Sequence, residues 1–181
     1  MTLSSLLAID PGENGGIAWI DATGNVGAQK MPEGMCAQLD RLLELKAQLA
    51  GLCGQLPAWM EKVAVMPGDG RASAGVFMRH AGRLDAGLYL CGISSIEVLP
   101  SRWQRGIGVP QEPTLPKDMD PSTRKAELAR RKAERKRWIR DTMQRRYPHL
   151  RVTLHTADAL GILTWAIAQT TNAPAQTPFD A

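Results

Sequence analysis

Three carboxylates stand in runs of apolar residues, and any fold open to this chain has to compensate them. Asp10 closes the run Leu6-Leu7-Ala8-Ile9. Glu61 lies within AWMEKVAVM, read as a strand over 58–66 with Trp59, Val63 and Val65 on the same face as the acid. Asp158 lies in ADALGILTWAIA, with Ile162 and Trp165 at helical spacing from it. A helix so apolar on nearly every side is buried. An ionised carboxylate in such surroundings is costly unless something answers it. One such acid is ordinarily answered by a hydrogen bond or an ion pair. Here the only nearby cation in these elements is Lys62, on the opposite face of its strand from Glu61. Three acids on separate elements point instead to divalent cations, and hard oxygen ligands suit magnesium. His155, three residues before Asp158, shares its face if the helix starts early. Alone it reads as a cap or surface residue; beside the acids it is a candidate to bind metal or hold the attacking water.

Periodicity supplies the frame. Residues 4–10 read as a buried strand ending in the turn PGENGG, and GIAWID and NVGAQKM complete a three-stranded meander. Leucines at 39, 42, 43, 45, 49 and 52 mark a helix over 35–53. After the strand at 58–66, the loop PGDGRAS leads to a helix from about 74 to 91, with Ser73 as its N-cap. SIEVLP is a fifth strand, and Ser101 to Gly106 a short turn or helix. The order is that of an α/β protein: a five-stranded mixed sheet with helices on both faces, which suits the ribonuclease H-like fold. One domain over 1–170 is expected, with a disordered tail over 171–181. The four prolines between 108 and 121 predict a flexible loop there.

Charge is concentrated more than it is abundant. The net charge is only +4, yet half of the 22 lysines and arginines fall between Arg124 and Arg146. A basic helix over about 122–147, capped by Ser122 or Thr123 and stopped by Pro148, implies a polyanionic partner. Arg130, Arg131, Lys132, Arg135, Lys136 and Arg137 are its candidate DNA contacts, with Arg79, Arg83, Arg102 and Arg105 as further contributors. The bland alternative is a solvated amphipathic face buried through Trp138, Ile139 and Met143. No apolar run is long enough to span a bilayer, and the first residues lack the features of a signal peptide, so a cytoplasmic protein with no membrane partner is expected. Cys36, Cys53 and Cys91 have no metal-binding spacing and read as small core residues.

Several motifs, taken in order, resemble those of the RuvC-type Holliday junction resolvases. LLAIDPGENGGIAW is similar to the family's first-strand Asp-Pro-Gly turn. MEKVAVMPGDGRASAGVFMRHAGRLDAGL is similar to its strand-borne Glu and following helix, VLPSRWQRGIGV to its Pro-x-x-Trp-basic stretch, and HTADALGILTWAI to its closing helix. The resemblance covers residues 3–167. It implies a homodimeric endonuclease that nicks opposed strands of branched double-stranded DNA, in the cytoplasm of a bacterium or of a phage-infected host. Asp10, Glu61, His155 and Asp158 match the metal-site positions. The resemblance implies two Mg2+ ions about 4 Å apart, with Mn2+ able to substitute, and Asp10 bridging them. It further implies that the helix at 74–91 forms the dimer interface. The Pro-rich insertion and long basic helix at 108–147 exceed the usual cellular spacing and point to the phage-like branch.

Three rival functions share these features. One is a ribonuclease H-like nuclease acting on hybrids, flaps or forks. Another is a non-catalytic binder of branched DNA. The third is an actin-like ATPase cradling phosphate in IDPGENGG, for which the chain is too short to hold the duplicated domains required.

Overall fold

Strand β1, Leu6–Asp10, shows in miniature how the molecule is layered. Side chains alternate across a strand. Leu6 and Ala8 enter one core cluster, while Leu7 and Ile9 enter another on the opposite side of the sheet. Both faces must therefore be covered. The computed structural model describes residues 4–51, 54–63 and 71–172. In it β1 pairs antiparallel with β2, Gly16–Ile20, and β2 with β3, Val26–Lys30. β1 pairs in parallel with β4, Pro57–Glu61, and β4 with β5, Ser94–Val98. The order β3-β2-β1-β4-β5 is the five-stranded mixed sheet of the ribonuclease H-like fold.

Helices α1, Met35–Ala50, and α2, Arg71–Leu90, cover one face, burying Leu42, Leu45, Leu84 and Leu88 against Leu7 and Ile9. The other face carries α3, Pro100–Gly106, α4, Pro121–Arg146, and α5, Ala157–Asn172. Helix α5 packs Ala159, Leu160, Ile162 and Leu163 onto β1 and β2 and is buried on most sides, as its composition demands. Among the described residues, no helix is long and apolar enough to cross a membrane.

The structure moves several boundaries. β4 ends at Glu61 and Lys62 and Val63 are not in a strand, so Glu61 closes its strand where a mid-strand position was expected. The remaining residues of that expected strand, 64–66, lie outside the described residues. Helix α2 already contains Ser73, which is therefore not its N-cap. Asp120, not Ser122 or Thr123, caps α4: its carboxylate accepts the Thr123 N–H at 2.9 Å and the hydroxyls of both residues. A carboxylate satisfies the orphan N–H of a first turn and suits the positive helix end. Helix α5 runs on through Thr171 and Asn172, placed in the tail by sequence; 173–181 lie outside the described residues. Cys36 is exposed on α1 and does not join the core.

Residues 109–116 have no regular structure, as the prolines require, but they are fastened to α4. Arg131 donates to the Pro113 carbonyl at 2.7 Å and Arg124 to that of Pro116 at 3.0 Å. Val109 and Leu115, in this strap itself, are buried.

Candidate active site

Strand parity decides where the acids point. In the parallel pairing of β1 with β4, Ala8 lies opposite Trp59 and Ile9 opposite Met60. One step further along each strand are Asp10 and Glu61. Asp10 shares its face with Leu6 and Ala8, and Glu61 with Trp59, and this is the face covered by α3, α4 and α5. The first turn of α5 supplies Asp158. The three carboxylates line one cavity of about 430 Å3 at the C-terminal ends of β1 and β4, the end of an α/β sheet where ligands gather.

Their surroundings disfavour charge. Burial raises the Asp10 carboxyl well above its usual range, and the neighbouring Asp158 and Glu61 raise it further. Burial also lifts Glu61 to about 7, with Asp158 adding to the rise. Asp158 is raised chiefly by burial and held back by Lys136 and Arg135. Three acids that oppose one another's ionisation form a site that gains from a cation. The protein's own cations answer it only loosely. Lys132, Arg135 and Lys136 of α4 form the opposite wall of the cavity, and the nearest charge contact is Lys136 Nζ to Asp158 Oδ2 at 3.9 Å. Lys62 is spent elsewhere, 2.9 Å from Glu97.

The basic helix thus divides its charge. Arg130 is engaged by Glu127 and Glu134, and Arg131 by Glu127 and Glu112. Arg137 points outward and is exposed. Ile139 and Met143 form the buried stripe, with Trp138 half-buried beside it. Of the six candidate contacts, three face the acids, two are neutralised within the protein and one faces solvent.

His155 does not line the cavity. It sits in the turn before α5, and its Nδ1 lies 2.9 Å from the Asn14 carbonyl. A carbonyl can only accept, so Nδ1 donates in this contact. Asn14 belongs to the Asp-Pro-Gly turn and does line the cavity, so this bond ties the histidine to the rim. Gly16 makes the approach feasible, because a Cβ there would collide with the His155 carbonyl.

The sequence reading missed the partner of Glu61. The buried Trp103 indole N–H donates to Glu61 Oε2 at 2.7 Å and lowers that carboxyl against the effect of burial. Trp103 reaches it by crossing α5 at Gly161, where any side chain would meet the indole ring. The signal available in sequence was a tryptophan just after β5 and a lone glycine in an apolar helix.

Among the described residues, no three histidine, cysteine, aspartate or glutamate side chains stand close enough together to form a ready-made metal cluster. The donor chemistry nonetheless fits a hard divalent cation: carboxylate oxygens in a polar cavity, destabilised as free anions.

No family model and no curated protein matches the chain in sequence. Among solved structures, T. thermophilus RuvC in complex with a Holliday junction substrate is similar, with a TM-score of 0.56 and 13% identity over 94% of this chain and 97% of that one. A Thermus thermophilus RuvC structure aligns with a TM-score of 0.51 and 13% identity, over 92% of this chain and 96% of that one.

Proposed function

From a fold shared with RuvC along nearly its full length, we propose that residues 1–170 form one nuclease domain that resolves four-way or other branched DNA junctions by paired nicks. The carrying observation is the convergence of Asp10, Glu61 and Asp158 on one cavity walled by Lys132, Arg135 and Lys136. A solved relative of the same fold holds a Holliday junction. In this reading the protein is a crossover junction endodeoxyribonuclease of the phage-like branch, a homodimer acting in DNA recombination and repair in the cytoplasm.

Asp10, Glu61 and Asp158, with His155 at the rim, would hold two Mg2+ ions, with Mn2+ as a substitute. When bound, they supply Lewis-acid stabilisation and water activation for phosphodiester hydrolysis. The chain's own residues do the rest. Asp10 and Glu61, fixed by adjacent strand ends, present acceptor oxygens at constant spacing. Trp103 holds the Glu61 carboxylate in one orientation. Lys132, Arg135 and Lys136 bring the phosphate against the acids, which would otherwise repel it. Preference for branched DNA follows from shape and deformability more than from base edges.

The direct test is Asp10→Asn on an immobile four-way junction, with and without magnesium, read on a denaturing gel. Cleavage should vanish while junction affinity is kept. A variant that still cuts removes Asp10 from the site, and wild-type protein that cuts flaps or hybrids but not junctions selects the broader nuclease reading.

A further inference from the structure

Between the strap and α4 lies a further, open cavity of about 340 Å3, within the size range of small-molecule pockets. Val109, Pro110, Pro113 and the half-buried Trp138 supply its apolar part, and the rest is charged: Glu112, Arg130, Arg131 and Glu134, which are ion-paired, and Arg135. Arg135 also lines the acid cavity, so one guanidinium stands between the two spaces. A further opening on the other side of the strap again includes Arg135, together with Gln104, which also borders the acids. The charge of Arg135 is felt by Glu61 and Asp158, and among the described residues no carboxylate lies within salt-bridge distance of it. Unlike Arg130 and Arg131, it remains available to an incoming anion.

An indole and two prolines in the lining, with charged groups around them, suit a heteroaromatic ring that carries polar edges. A free guanidinium one wall away from a phosphodiester-cutting cavity suits the phosphate attached to that ring. Resting on the nuclease reading above, we infer that the strap cavity receives one unstacked nucleobase of the strand being cut, stacked on Trp138, while Arg135 holds the adjoining phosphate. An unpaired base is easiest to extract at a branch point, where stacking is already interrupted. Lodging it between the strap and α4 would fix the strand relative to the acids.

The test measures equilibrium binding to four-way junctions without divalent cation, so that no cleavage intervenes. Abasic deoxyribose replaces, one at a time, each of the central nucleotides of one strand. Stacking on an aromatic side chain is worth about 1–3 kcal/mol per base, so at one position the wild-type protein should lose about tenfold in affinity. Trp138→Ala should bind the intact junction about tenfold more weakly and be indifferent to the abasic site. Trp138→Phe should keep most of the preference, which separates stacking from a folding defect. Equal wild-type affinity for every abasic junction, or equal losses in Trp138→Ala and Trp138→Phe, overturns the base pocket alone. Absence of junction binding by the wild-type protein overturns the nuclease reading with it.

Discussion

Glu61 joins the chemistry of the site to the stability of the fold. Its folded carboxyl titrates at about 7, against 4.5 for the unperturbed group. A carboxyl raised on folding contributes stability that is complete below the unfolded value and is lost as pH rises through the folded one. Ion-free protein should therefore melt at progressively lower temperature from about pH 4.5 to pH 7. Glu61→Gln should flatten that slope, and a slope unchanged in the variant would show that Glu61 is not its source. Trp103→Phe works on the same residue from the other side. Losing the donor leaves a buried carboxylate oxygen unsatisfied, a cost of about 2 kcal/mol measurable as a shift in denaturation midpoint. The Glu61 titration should move further upward in that variant, because the lost bond was lowering it. Asp10, Glu61 and Asp158 could be found from sequence because each breaks an apolar run. The role of Trp103 could not be read in the same way, because a tryptophan between Arg102 and Gln104 does not say which group its N–H will meet.

Helix α4 shows that position around a helix separates the roles of like residues. Ala replacement of Lys132, Arg135 and Lys136 together should weaken DNA binding and reduce the slope of log affinity against log salt by about 2–3, close to one per phosphate contact. Replacing Arg130 and Arg131 should leave that slope nearly unchanged and lower the melting temperature slightly, through the lost Arg131 strap contact and the ion pairs. If the second pair moved the salt slope as much as the first three, the helix would act as an undivided cationic surface. The density of arginine was plain in the sequence, but the division was not. It depends on which face of α4 meets Asp158 and which meets Glu112, and Glu112 lies nineteen residues before Arg131 in a proline-rich stretch with no periodicity to place it. Element order, by contrast, could be read throughout, because alternation in β1 and leucine spacing in α1 are local signals. Ends were harder. β4 stops at Glu61 although Val63 and Val65 continue a strand-like alternation, and Asp120 competes successfully with two hydroxyl residues for the cap of α4.

For the molecule as a whole, the outer side of α2 is conspicuous. Met78 and Tyr89 are exposed on one stripe with Gly75, Gly82 and Ala86, a face of helix with no covering element among the described residues. The proposed dimer would bury it. Met78→Glu together with Tyr89→Lys should shift the protein to monomer in sedimentation, and junction cleavage should change from paired to single nicks. A dimer that survives both substitutions has its interface elsewhere. The contact between the β1–β2 turn and the start of α5 carries a different consequence. The His155 backbone rests on Gly16, its ring on Asn14, and α5 lies across β1 and β2. The helix that shields the strands of the first two acids is thus the one that carries the third. A chain that lost α5 would lose Asp158 and the cover over β1 together, so truncation there cannot reduce the three acids to two with the sheet left intact.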